Sequence, residues 1–396
     1  MNFDEIIDRR GTHSDKWDNM EARYGVSPLD GIPMWVADMD FRAPDCVTRA
    51  LKAMTEHGIY GYPAYHGFHD DGVTGYRAAI LWWMAERHGW KVNPDWIFST
   101  HGLVNGTGMC VDAFTAPGDG VVIFTPVYHA FARVIRAAGR EVRECPLVNN
   151  AGRYEMDFDA YDAAMTGTER MVILCSPHNP GGRVWSRAEL QGVADFARRH
   201  DLILVSDEIH HDLLMPGQRH IPMAHIDGIA DRLVMMTATT KTFNIAGAHL
   251  GNVIIPDEAL RARFAARMAA LGVSPNSFGL AMAEAAYSPE GAAWVDALCA
   301  YLDGNRTLFD EGVNAIPGLA SMPLEATYLA WVDFAGTGMD RDEFTRRVER
   351  EARICVNHGA TFGTGGESFL RFNIATPRAR VAEAVARLQA AFADLQ

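Results

Sequence analysis

Three short apolar runs, MVILC from residue 171, LILVS from 202 and LVMM from 233, begin 31 residues apart. That interval holds one strand, one covering helix and their connections, so a chain that repeats it is committed to parallel strands joined by crossovers. Two further runs, VVIF at 121–124 and NVII at 252–255, flank the series. All five are nearly continuous in apolar residues rather than alternating, as strands are when both faces of their sheet are covered. Between two of them, LQGVADFARR sets Leu190, Val193, Phe196 and Ala197 on one helical face. The sequence therefore predicts an α/β fold with a mostly parallel sheet covered by helices on both faces.

The last third changes character. ATYLAWVDF (326–334) reads as a half-buried strand and FLRFNIA (369–375) as another, and Val381, Val385, Leu388, Phe392 and Leu395 recur at helical spacing. These elements predict a smaller α+β domain, completed by the N-terminal segment. No low-complexity linker marks the junction, which is set at a large domain of 50–289 and a small domain of 1–49 with 290–396. At 396 residues and 48% hydrophobic residues, the chain has ample apolar material for both.

Fifty acidic against 36 basic residues give a formal charge of -14, which repels phosphate backbones and anionic lipid surfaces. Neither nucleic acid nor membrane is an expected partner, although a local cluster of donors can still bind a small anion. The six cysteines are scattered without a C-x-x-C pair, the pattern of reduced thiols rather than of a disulfide frame or zinc site. MNFDEIIDRR has no apolar core of a leader and no stretch approaches 18 apolar residues, so the expected location is the cytoplasm.

Open α/β sheets bind ligands at the carboxyl ends of their strands. After MVILC comes Ser176-Pro177-His178-Asn179-Pro180-Gly181-Gly182, after LILVS comes Asp207-Glu208-Ile209-His210, and after LVMM comes Thr237-Ala238-Thr239-Thr240-Lys241. Successive strands thus bring an amide, a carboxylate and a lysine to one edge. A glycine-rich turn, Ser99 to Gly108, precedes a helical pattern, where free N–H groups and the helix dipole suit a phosphate. On its own that turn is structural, since it is neither G-x-G-x-x-G nor a P-loop. In combination the set matches pyridoxal phosphate, which needs a lysine for its aldehyde, a carboxylate for its ring nitrogen, a donor for its ring oxygen and an anion cradle.

Here the sequence resembles the fold-type I pyridoxal-phosphate enzymes of the class I/II aminotransferase superfamily, in the MalY/PatB-type cystathionine β-lyase (C–S lyase) branch. The resemblance runs through PMWVADMDF (33–41), YGYP (60–63), TPVYHAF (125–131), SPHNPGGRVW (176–185), SDEIHHDL (206–213), TATTKTFNIAG (237–247), SPNSFG (274–279) and FLRFNIATPR (369–378). It implies that Lys241 bonds the cofactor and shuttles the proton, that Asp207 pairs with the ring nitrogen, and that Tyr128 stacks on the ring. Asn179 and His210 fall near the ring oxygen, and Gly102, Leu103 and Val104 hold the phosphate with Thr237 or Thr240. Arg371 takes the substrate carboxylate, with Asn179 and Trp35 as further substrate contacts. Tyr62 reaches the phosphate of a neighbouring subunit, which implies a homodimer acting on a small amino acid.

The implied reaction is β-elimination at a carbon–sulfur bond of cystathionine or a related cysteine conjugate, giving pyruvate, ammonia and a thiol. Aminotransfer uses the same residues and stays open, as does a regulatory protein that keeps the fold. Bland roles also stay open: Asp207 as a helix cap, Asn179 as a turn residue, Arg371 as a strand-edge charge. Of the adjacent His210 and His211, one can lie with Asp207 and the other is expected at the surface or an interface. No H-E-x-x-H or cysteine cluster supports a metal, and Glu208 is not an evident ligand. Two departures stand out: His249 occupies the place of a phosphate-binding arginine, and Gly181-Gly182 follows Asn179-Pro180 where Thr-Gly is commoner, which puts the shape of the substrate pocket in question.

Overall fold

Seven strands build the central sheet of the computed structural model, which describes residues 1–63, 68–69, 72–73 and 75–395. In chain order they are β1 (Ile97–Thr100), β2 (Gly120–Ile123), β3 (Glu141–Glu144), β4 (Glu169–Cys175), β5 (Ile203–Asp207), β6 (Leu233–Thr237) and β7 (Gly251–Ile254). Their spatial order is β1-β7-β6-β5-β4-β2-β3. Neighbours from β6 through β3 are parallel, whereas β7 runs antiparallel to both β6 and β1. NVII is thus a sheet strand as expected, but not a parallel one. EVRE at β3 had no apolar signature because it is the half-exposed edge of the sheet.

The continuous apolar runs divide by alternation into two cores. Val172 and Leu174 of β4 point to one side, against Leu190, Val193 and Phe196 of helix α2 (Arg187–Arg199). Met171 and Ile173 point to the other, against Cys110, Val111 and Phe114 of helix α1 (Leu103–Phe114) and Phe264 of α3 (Glu258–Leu271). Each fully buried side chain of this size contributes about 1.5–3 kcal/mol, so neither face of the sheet can be left to solvent. The start of α2 is fixed by a capping box, Ser186 receiving the Glu189 N–H while Glu189 accepts from Ser186.

The C-terminal third carries a four-stranded antiparallel sheet, β8 (Ala320–Ser321), β9 (Leu329–Asp333), β10 (Asn357–His358) and β11 (Phe369–Asn373), in the order β8-β9-β11-β10. Leu329 to Val332 are all buried, so the expectation of a half-buried strand over 326–334 is corrected. Both faces are covered: Phe372 packs on Phe309 of helix α4 (Pro289–Asn314) at 5.3 Å, and Trp331 stacks on Phe369 at 4.9 Å on the opposite face. Helix α5 (Arg378–Ala391) closes the unit with Val381, Val385 and Leu388 inward. The N-terminal segment is tied to this region by a parallel pair, Ile32–Pro33 with Ile354–Cys355.

Candidate active site

The ends of β4, β5 and β6 and the start of α1 surround a cleft of about 280 Å³. Asn179 follows β4, Asp207 ends β5, and Lys241 lies on the helical turn Thr239–Thr242 after β6. Those three, with Tyr128, His210, Thr240 and the chain from Gly102 to Val104, line the cleft, as the sequence predicts. Gly102 caps α1 with φ 81°, a left-handed conformation suited to glycine. Its own N–H donates to the Thr100 carbonyl at 2.9 Å, so Gly102 shapes the turn. The first-turn N–H groups of Leu103 and Val104, which lack intrahelical acceptors, are the ones left for an anion.

Across the cleft runs residues 35–39, a segment whose carbonyls are each engaged. The Trp35 carbonyl accepts from Arg371 Nη2 at 3.0 Å and Asn357 Nδ2 at 2.7 Å, and the Val36 and Asp38 carbonyls from Asn373 Nδ2 at 2.6 and 2.5 Å. The Ala37 carbonyl accepts from Lys241 Nζ at 2.6 Å and from the Tyr328 hydroxyl at 2.9 Å, and Met39 is held through both its N–H and carbonyl by Asn244. Asp40 anchors the segment from behind, receiving Lys16 Nζ and Trp17 Nε1 at 3.0 Å and Arg9 at 2.9 Å. Burial alone would raise the Asp40 pKa, but the Lys16 and Arg9 charges outweigh it and hold it near 2.

The electrostatics of the cleft are set by desolvation. Burial lowers the Lys241 ammonium to about 8, with Arg371 pushing the same way and the carboxylates of Asp38 and Asp207 opposing. Burial raises Asp207 to about 7, against one hydrogen bond from the Ile209 N–H at 3.1 Å, with the Glu208 charge adding to the rise. Arg371 is 2% exposed and burial brings it down to about 10. Its Nη1 donates to Asn179 Oδ1 at 3.0 Å, its plane lies 5.0 Å over the Phe362 ring, and its Nε has no partner. Among the described residues no carboxylate pairs with this buried guanidinium, so it presents a cation awaiting an anion. His210 is buried, its Nδ1 lacks a partner, and burial with the Lys241 and Arg371 charges keeps the ring neutral.

Other expected residues lie elsewhere. Thr237 is buried at the end of β6, where its hydroxyl accepts from Asn252 at 3.4 Å, and only Thr240 of the two lines the cleft. The Trp35 ring packs with Trp17, Met20 and Cys355 and donates to the Lys16 carbonyl at 2.9 Å, so its link to the site is its carbonyl on Arg371. Tyr62 is wholly exposed at 105% and far from burial by its own chain. His249 lines the cleft with φ 45°. Gly181 does not face the cleft: a Cβ there would lie 2.6 Å from the Tyr154 ring and 2.9 Å from His178, which explains the missing β-branched residue. His211 is 1% exposed, contrary to the expected surface position, because His88 stacks on it at 4.0 Å and Asp212 lies beside it.

Sequence reasoning missed Asp212, whose carboxylate receives Trp83 Nε1 at 3.0 Å and Thr242 Oγ1 at 2.9 Å, fixing the residue after Lys241. It also missed Tyr328, Asn244 and Asn373, the groups that hold residues 36–41. The available signal was NIAG after Lys241 and RFN around Arg371, polar residues inside apolar stretches.

Free N–H groups at the start of α1, a buried lysine and carboxylate at adjacent strand ends, and a buried arginine with no carboxylate partner among the described residues give the site its polar groups. The chain belongs to the aminotransferase class I and II family, whose pattern matches residues 31–388. Cystathionine beta-lyase PatB of Bacillus subtilis is 40% identical over 395 residues, covering 99% of this chain and 100% of its own. Among solved structures, cystalysin from Treponema denticola, which contains pyridoxal 5'-phosphate, superposes with a TM-score of 0.92 at 36% identity over 100% of this chain and 99% of its own. The PLP-bound C–S lyase from Staphylococcus hominis gives 0.89 at 31% identity over 99% and 98%.

Proposed function

We propose that this protein is a pyridoxal-phosphate-dependent carbon–sulfur β-lyase acting on cystathionine or related cysteine conjugates. The observation that carries the reading is full-length likeness to lyases that bear that name, beside a cleft lined by Lys241 and Asp207 to which the buried Arg371 is joined through its hydrogen bond to Asn179. The donor set fits the cofactor: Lys241 for its aldehyde, Asp207 for its ring nitrogen, Asn179 and the neutral His210 for its ring oxygen, Tyr128 for its face. The N–H groups of Leu103 and Val104 with Thr240 suit its phosphate. When bound, pyridoxal phosphate supplies an electron-accepting ring that stabilises negative charge at the substrate α-carbon.

The protein's own part begins with Arg371, whose position is set by Asn179 and the Trp35 carbonyl before any substrate arrives. It binds the α-carboxylate and turns the α C–H toward Lys241. Burial lowers the Lys241 ammonium to about 8, which eases formation of the neutral amine that takes the α proton, and the Ala37 carbonyl accepts from Nζ in the cofactor-free chain. The same ammonium then supplies a proton near the departing sulfur. Asp207, freed of its desolvation penalty by a cationic ring nitrogen, keeps that nitrogen protonated.

The reading includes a homodimer in the cytoplasm, with a large unit of 50–289 and a small unit of 1–49 and 290–396. Support comes from the exposed large hydrophobics Ile59, Tyr60, Tyr62 and Phe278, of which Tyr60 and Phe278 pack with ring centroids 5.6 Å apart. All six cysteines are free, and among the described residues no helix is long and apolar enough to cross a membrane. The test is holoenzyme with L-cystathionine and no ketoacid. Equal release of pyruvate, thiol and ammonia is expected; no release without a ketoacid, and amino-group transfer once one is added, would make the protein an aminotransferase.

A further inference from the structure

The residue after Asp207 opens a second constellation outside the cleft. Glu208, His211 and His220 are buried, at 1%, 1% and 6% exposure, and none of them lines the cleft. Glu208 Oε1 is fixed by two donors, Ser206 Oγ and the Met223 N–H, both at 2.9 Å. That leaves Oε2 directed at His220 Nε2, 2.7 Å away. His211 Nε2 is buried and makes no geometrically good hydrogen bond, its neighbour being Asp212 Oδ2 at 3.3 Å. One ring nitrogen from each histidine and an oxygen of Glu208 all lie within 4.8 Å of one another.

Ring orientation decides whether such a group can coordinate, because an imidazole lone pair lies in the ring plane. The His211 and His220 rings are 6.0 Å apart with planes 63° to each other, so their lone pairs can converge. The neighbouring group of His88, His211 and Asp212 fails this condition. His88 stacks on His211 at 4.0 Å and 21°, which sends their lone pairs along nearly parallel lines. The Asp212 carboxylate is besides committed to Trp83, His88 and Thr242.

The geometry points to a binding site for a first-row divalent transition cation, of the Zn²⁺ class, formed by Glu208, His211 and His220. Two imidazoles and one carboxylate suit such ions, whose bonds to nitrogen and oxygen are about 2.0–2.2 Å. The hydrogen bonds on Glu208 Oε1 supply the outer partners that orient a carboxylate ligand. The three residues are spaced E-x-x-H followed by eight residues and H, and they lie in irregular chain, which is why no zinc-motif pattern marks them. With no ligand facing the cleft, the ion is a brace joining the turn after β5 to the chain at 220. The assignment stands apart from the lyase reading, since it concerns residues outside that cleft.

The experiment is metal loading of the holoenzyme with Zn²⁺, gel filtration, and elemental analysis, with the wild type and His211→Asn compared. One retained Zn²⁺ per chain, a raised melting temperature with Zn²⁺, and loss of both in the variant are expected. No retained metal in the wild type, or equal retention in His211→Asn, overturns the site. Should the variant fail to fold, anomalous scattering at the zinc edge from wild-type crystals decides: a peak between Glu208 and His220 supports the site, and a peak only at the cysteines or the cofactor refutes it.

Discussion

Replacing Asp207 with Asn should stabilise the cofactor-free protein while disabling it. Burial raises the folded-state pKa of Asp207 from 3.8 to about 7, so the folded chain holds a proton that the unfolded chain has released over that interval. Stability therefore falls as pH rises from about 4 to about 7 and is level above. At about 1.36 kcal/mol per pH decade, the penalty is about 2 kcal/mol at pH 5 and about 4 kcal/mol at pH 8. An amide carries no such charge and keeps an oxygen to accept the Ile209 N–H. Urea unfolding of both cofactor-free proteins, at one protein concentration and at pH 5, 6, 7 and 8, should show the variant gaining on the wild type by a further ~2–3 kcal/mol across the range. A difference that is flat with pH, or a variant less stable throughout, would refute the claim that Asp207 is a desolvated carboxylate awaiting a cation.

Arg371→Lys keeps the charge and loses the planar fork held by Asn179 and the Trp35 carbonyl, at a cost of about 1.5–3 kcal/mol for a charge-assisted contact; kcat/KM should drop roughly 10- to 150-fold, mostly through KM, and a change under about threefold would remove Arg371 from carboxylate binding. Gly181→Thr places atoms into the Tyr154 ring, 2.6 Å from the Cβ position, so we expect about 1–3 kcal/mol of destabilisation in urea with the cofactor spectrum retained. Tyr62→Phe should leave each subunit folded and speed cofactor loss on dialysis roughly tenfold, as for one lost hydrogen bond to a charged group; unchanged retention would sink its role across subunits.

The ends of β4, β5 and β6 were legible because each is an apolar run that stops at a polar residue, and sheet topology forces successive ends to one edge. That alone brings Asn179, Asp207 and Lys241 together. Residues 35–39 were legible as a motif but not as a mechanism, since they act through carbonyls, which any residue carries. Trp35 illustrates the consequence: its ring is the conspicuous feature, yet its backbone oxygen makes the contact with Arg371. His211 was misread because its burial depends on stacking by His88, distant in sequence and brought to it only by packing. The Gly181 departure looked like a change in the pocket and is a packing requirement of Tyr154, contributed by the strand Arg153–Glu155.

The central claim is that this cleft eliminates rather than transfers. The direct measurement is the number of pyruvate molecules formed per active site when holoenzyme meets L-cystathionine with no ketoacid present. We predict many turnovers per site, with the cofactor still in its aldehyde form and with Lys241→Ala inactive. At most one turnover, with the cofactor left in its amine form, would contradict the account.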